Sequence, residues 1–178
     1  MKTKIYLFSL ALFVFQMGLL AQSFSFSYGA YADFNRVVYK PVGQDAIKYT
    51  KSSDVGIVLA PRVNLFDYDD IATLSLGSRI GLGVNTEKAD MRFQFHAPVL
   101  VGINFGNASS PYARSSTGGF VEVGYEFSRI IGNNPMISRD GIRYDVGIRL
   151  SYFELSFHQI FIDDKINAFG VSLLYNYR

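Results

Sequence analysis

The stretch Ile71-Ala72-Thr73-Leu74-Ser75-Leu76-Gly77-Ser78-Arg79-Ile80-Gly81-Leu82-Gly83-Val84 decides the fold. Leu74, Leu76, Ile80, Leu82 and Val84 share one parity, with Ser78 the polar member among them. Thr73, Ser75, Gly77, Arg79, Gly81 and Gly83 share the other. A period of two is the period of a β-strand, whose side chains alternate between two faces. The apolar face is bulky and continuous. The polar face is small, rich in glycine, and carries an arginine. A strand with lipid outside and a crowded polar lumen inside has this composition.

The pattern recurs on both sides of this stretch. Upstream, residues 23–34 place Phe24, Phe26, Tyr28 and Phe34 against serines, Gly29, Tyr31 and Asp33. Residues 54–66 place Val55, Ile57, Leu59, Val63 and Leu65 against Arg62 and Asn64. Between them, residues 35–53 carry Pro41, Gly43 and scattered charges and read as the longest loop. Downstream, further strands are expected at about 91–106, 119–128, 141–150, 153–161 and 166–177, with loops at 107–118 and 131–140. Pro98 falls within the strand at 91–106, where it removes a ladder hydrogen bond, so a bulge or kink is expected there. The count is eight strands, and the expected fold is an all-β, eight-stranded antiparallel up-and-down transmembrane barrel. An even strand number brings both chain ends to one side.

The chain opens with Lys2 and Lys4, an apolar run over residues 5–20, and the small residue Ala21 before Gln22. This is the layout of a secretory signal peptide over residues 1–21, leaving one barrel domain over 22–178. The run is shorter than the roughly 20 apolar residues of a spanning helix. With no cysteine in the chain, disulfides, thiolate metal sites and a lipoprotein anchor are excluded. The formal charge of +2 includes the two leader lysines, and no basic patch speaks for nucleic acid.

Alternation alone does not separate this barrel from a soluble one with its apolar face inward. Three features favour lipid. The charges on the polar parity balance: Arg62, Arg79, Arg92, Arg143 and Arg149 against Asp33, Glu122, Glu126, Asp145 and Glu154. The lysines after the leader, Lys40, Lys48, Lys51, Lys88 and Lys165, fall in the expected loops or at strand ends. Glycines cluster on the charged parity, where the concave side of a curved sheet is crowded. The expected luminal ion network is therefore Arg62, Arg79, Arg92, Glu122, Glu126, Arg143, Asp145, Arg149 and Glu154. Its predicted register sets Glu126 opposite Arg143, Gly124 opposite Asp145 and Glu122 opposite Gly147, so that Arg149 is shared diagonally by Glu122 and Glu154.

The chain resembles the small outer-membrane β-barrel proteins of the porin superfamily, of the PorT-like and OmpX-like kind. The resemblance rests on Ala21-Gln22, on the segment Phe95-His96-Ala97-Pro98-Val99-Leu100-Val101-Gly102-Ile103-Asn104-Phe105-Gly106, and on Gly118-Gly119-Phe120-Val121-Glu122-Val123-Gly124. In motif it covers about 35 residues. It implies residence in the cell outer membrane, contact with outer-membrane lipid, and insertion by the barrel assembly machinery. The last strand alternates up to Tyr177, although the chain ends in Arg178 rather than an aromatic residue.

Chemistry-bearing groups are few. Glu154, Ser156 and His158 share one strand face, the makings of a hydrolase and hence of a lipid-modifying enzyme. Residues two apart on one strand sit ~6–7 Å apart, too far for a direct Ser–His hydrogen bond. A satisfied polar network is the preferred reading, and no catalytic residues are assigned. His96 and His158 lie on different strands, so no metal or cofactor is expected. The preferred function is a barrel with a plugged polar lumen in a structural or surface-interaction role, an extracellular partner being met through loops 35–53 and 131–140. The alternative is a small-ligand transport or binding barrel, because eight strands leave room for side chains or one small ligand. The ten balanced charges and the bulk of Tyr152 favour a filled lumen.

Overall fold

The computed structural model describes residues 23–39, 48–68, 71–87, 90–106, 116–131, 137–138, 140–163 and 166–177. The signal peptide expected over residues 1–21 lies outside them. The strands are β1 (Ser23–Tyr39), β2 (Lys48–Tyr68), β3 (Ala72–Gly77), β4 (Ile80–Glu87), β5 (Asp90–Gly106), β6 (Thr117–Ile131), β7 (Ile137–Ser138), β8 (Gly141–Leu150), β9 (Phe153–Asp163) and β10 (Ile166–Tyr177). Each pairs antiparallel with its neighbours. β2 pairs with both β3 and β4, and these both pair with β5, so β3 and β4 share one position in the ring. From β5 the sheet continues through β6, β8, β9 and β10 and closes on β1. β7 is a two-residue appendage on β6. The closed ring therefore has eight positions.

The interior is polar and the exterior apolar. Along β8, Gly141, Arg143, Asp145, Gly147 and Arg149 are buried while Ile142, Tyr144, Val146, Ile148 and Leu150 are exposed. The outer surface is banded. On β10, Phe169 precedes Val171 and Leu173, and Tyr175 and Tyr177 follow; on β5, Phe93 and Phe95 are separated from Phe105 by Val99, Val101 and Ile103. Aromatic rings thus bracket an aliphatic middle, the arrangement that suits a bilayer with two interfacial belts. Ring pairs knit neighbouring strands, such as Phe34 with Phe169 at 5.5 Å and Tyr28 with Tyr175 at 5.7 Å.

The stretch 71–84 keeps its parity but is not one strand. It breaks at Ser78 and Arg79. The cause lies in the neighbours. Leu59 pairs with Ile80 and Arg62 with Gly77, so Pro61 stands opposite Ser78. Gly77 pairs with Leu100 and Gly81 with His96, so Pro98 stands opposite Arg79. Neither proline has an N–H to give. Ser78 instead serves the two proline carbonyls: its backbone N–H donates to Pro61 O at 3.0 Å and its hydroxyl donates to Pro98 O at 2.5 Å. Of the bulge or kink expected at Pro98, the β5–β6 side shows no bulge, its register running evenly from Phe93↔Ile131 to Gly106↔Gly118; the irregularity lies on the other side, in the interrupted pairing with β3 and β4.

Other boundaries also shift. Much of the loop expected at 35–53 is ladder, paired from Asn35↔Ser52 to Tyr39↔Lys48, while residues 40–47 lie outside the described ones. Strands leaving a bilayer need no apolar face, so the polar composition concealed the continuation. Likewise Ile131 belongs to β6, and residues 132–136 and 139 lie outside the described ones. At the other end, β2 carries a bulge between Asn64 and Phe66, which turns Phe66 rather than Leu65 outward opposite Leu74. Tyr152 does not fill the lumen. It sits in the turn after Ser151, exposed and stacked 6.0 Å from Tyr175. Ser151 adopts φ 55°, a left-handed turn conformation that points the next residue away from the β8 face.

Candidate functional site

Eight of the nine charged residues expected in the lumen form one connected, buried cluster. Arg79 is its centre. Leaving the strand break between β3 and β4, its Nη2 donates to Glu122 Oε2 at 3.2 Å and to Glu154 Oε1 at 2.8 Å. Its Nε lies 3.4 Å from Asp145 Oδ1. Arg62 from β2 donates to Glu122 Oε1 at 2.7 Å and lies 3.7 Å from Glu154 Oε2. Arg149 donates to Glu154 Oε2 at 2.7 Å. Arg143 donates to Glu126 Oε2 at 2.8 Å and through Nε to Asp145 Oδ2 at 2.6 Å. Each carboxylate in this cluster meets at least one guanidinium, the condition under which buried charge is tolerated. Arg92, the ninth, is half-buried opposite Asn85, nearer the barrel end.

The register of β6 against β8 differs by two residues from the expected one. Glu126 pairs with Gly141, Gly124 with Arg143, Glu122 with Asp145, and Gly118 with Arg149. Parity admits any slip by two; packing selects one. Phe120 is opposite Gly147 and lies over its bare Cα, where a methyl group would strike the ring. The same ring is approached by Arg62 and Arg79, whose Cζ atoms are 5.1 Å and 5.0 Å from its centroid. Such cation–π contacts hold two like charges beside one apolar group. Glu154 is directly opposite Arg149, not diagonal to it. Glu122 is held by Arg62 and Arg79 from across the lumen rather than by Arg149.

A second polar group lies toward the end opposite the chain termini. Asp33 and Asp54 face each other on β1 and β2, both buried. Asp54 accepts hydrogen bonds from Asn35 Nδ2 at 2.5 Å and from Asn85 Nδ2. His158 Nε2 lies 2.9 Å from Asp33 Oδ1, and His96 Nδ1 lies 3.1 Å from Glu126 Oε1. Both contacts are close but not aligned as hydrogen bonds. Tyr31 packs edge-on to His96 at 4.6 Å. Luminal glycines make the space: a methyl at Gly81 would strike His96, at Gly83 the Tyr31 hydroxyl, and at Gly170 both Asp33 and His158. Asp54 escaped the sequence reading because it was the first residue of its expected strand; its even number, shared with Arg62 and Asn64, is the signal that would have found it.

Glu154, Ser156 and His158 do share the luminal face of β9, but each goes to a different partner. Ser156 Oγ meets Ser172 Oγ at 2.5 Å, Glu154 meets arginines, and His158 meets Asp33. The Ser–His contact that nucleophilic catalysis needs is not formed. Among the described residues, no group of three His, Asp or Glu side chains is placed to hold a metal ion.

The fold is that of a small outer-membrane β-barrel. The chain is similar to the crystal structure of Ail, the attachment invasion locus protein of Yersinia pestis, with a TM-score of 0.50 and 11% sequence identity over 86% of this chain and 97% of that one. That identity carries the fold alone. No family model and no curated protein matches the sequence.

Proposed function

We propose that the chain is a cell outer-membrane barrel with a closed polar lumen, acting as a structural or surface-interaction protein. The observation that supports this most is the Arg79-centred cluster, which joins side chains from β2, the β3–β4 break, β6, β8 and β9 across the interior. Eight strands leave little space beyond the side chains themselves. The likeness to an attachment invasion locus protein fits a surface role. In this reading the connections within 35–53 and 131–140, on the side opposite the termini, meet an extracellular partner. Outer-membrane lipid surrounds the barrel, and the barrel assembly machinery inserts it. No catalytic role is assigned.

Three measurements test the reading. Membrane-extracted protein should migrate differently on gels before and after heating, as a closed barrel does when it unfolds. Reconstituted into planar bilayers, it should show no single-channel conductance, and vesicles carrying it should not swell in small sugars. Porin-like sugar flux would replace the plugged lumen with the small-ligand transport reading.

A further inference from the structure

The β1–β10 pairing closes the ring by joining the first strand to the last. One polar contact steps across that seam. Asp33 of β1 pairs with Gly170 of β10, and Gly170 pairs with His158 of β9. The carboxylate and the imidazole therefore stand on either side of a residue with no side chain. His158 Nε2 lies 2.9 Å from Asp33 Oδ1 over the gap. A methyl at Gly170 would strike both atoms, so the contact depends on glycine at that position.

Asp33 differs from the other buried carboxylates of the lumen. Glu122, Glu126, Asp145 and Glu154 each meet a guanidinium, and Asp54 accepts from two carboxamides. Asp33 is 1% exposed, and among the described residues the cationic partner within reach is His158. Arg143 does not serve it: Nε and Nη2 go to Asp145 and Nη1 to Glu126. The other groups around the pair add negative charge or none. Asp145 on β8 is the register partner of His158, and Asp54 on β2 is that of Asp33. Tyr31 precedes Asp33 on the luminal face of β1, and Ala168 and Ser172 flank Gly170 on β10. Beside a neutral imidazole, Asp33 would be a buried charge with no counter-charge and no aligned hydrogen bond at Oδ1. His96 is placed differently, because its carboxylate, Glu126, is already paired with Arg143. A neutral ring has the single N–H that this second contact needs.

We propose that His158 holds a proton at neutral pH while His96 stays neutral, and that the imidazolium–Asp33 pair is a proton-dependent clasp across the β9–β10–β1 seam. A histidine is the side chain whose charge can be gained or lost near neutral pH. Losing that proton turns the clasp into an unmatched buried carboxylate at the place where the ring closes.

The test is nitrogen NMR of the full chain in mild detergent, labelled at histidine. The chain has 2 histidines, so two imidazole signal sets are read. The measurement is made at about pH 7.5, where an unperturbed imidazole is roughly nine-tenths neutral. One ring should show both nitrogens protonated, and the other one protonated and one bare nitrogen. His158→Gln should remove the charged set and His96→Gln the neutral set, which assigns them. Asp33→Asn keeps the shape of the side chain and removes its charge, and should turn the His158 ring neutral. Gly170→Ala, first checked for heat-modifiable migration, should do the same by forcing the two groups apart. Two neutral rings in wild type would overturn the proposal and place the proton on the Asp33 carboxyl instead. A charged His96 ring, or a His158 ring still charged in Asp33→Asn, would overturn it as well.

Discussion

Arg143 stands opposite Gly124, not Glu126, yet its Nη1 donates to Glu126 at 2.8 Å by reaching one rung along β6. Gly124 itself lies tight against β5, where a methyl group would strike Val99 O. Both partners are almost wholly buried, with 1% of each side chain exposed. Removing one member of such a pair leaves an uncompensated charge. Glu126→Gln or Arg143→Met alone should therefore cost ~3–5 kcal/mol, and the double variant much less than the sum. Urea unfolding in the presence of lipid measures the cycle, and a coupling energy of zero would place the pair wrongly.

Arg79 reaches three carboxylates. Arg79→Met should be among the most destabilising single changes in the barrel, by ~3–5 kcal/mol. Arg79→Lys should recover only part of this, because an ammonium is a point charge and does not fork between Glu122 and Glu154. The same unfolding assay compares them.

The outer wall should reject charge. Leu82 is 57% exposed in the aliphatic middle band, and Leu82→Arg should cost ~2–4 kcal/mol for folding into vesicles. In detergent-free aqueous buffer the variant should be no better folded than the wild type. Equal vesicle folding of the two would argue against lipid contact on this face.

The lumen should reject size. Gly81→Ala forces a methyl into the His96 ring, and Gly147→Ala forces one into Phe120. Each should cost ~1–3 kcal/mol through overpacking. Gly119→Ala, whose methyl would meet only Gly147 O at 3.3 Å, should be milder. Thermal unfolding in detergent ranks the three.

The strand positions and their inward and outward faces were legible because period two survives wherever one face meets lipid. Leu74, Leu82 and Arg79 sit where alternation placed them. What alternation could not convey was anything separated by two residues or by the width of the lumen. The β6–β8 register was one such case, since Glu126 opposite Arg143 and Glu126 diagonal to it have the same parity. Arg62 with Glu122 was another, because β2 and β6 are not neighbours and no cross-strand rule relates them. Tyr152 was misplaced because a turn residue obeys no parity. The continuation of β1 and β2 past residue 35 was hidden because polar ladder outside a bilayer reads as loop.

The two prolines beside the Ser78–Arg79 break bear on that same ambiguity. A hairpin zipping up by alternation alone could lock in two residues out of step and still look correct from either face. Moving β3–β4 by two against β2 would bring Pro61 opposite Leu76 or Ile80, setting a residue without an N–H against the ladder inside a strand rather than at its break. The same slip against β5 would move Pro98 away from Arg79 and draw that guanidinium off its three carboxylates. Pro61 and Pro98 thus act like the wards of a lock. They let the sheet discriminate among alignments that its greasy and polar faces cannot tell apart.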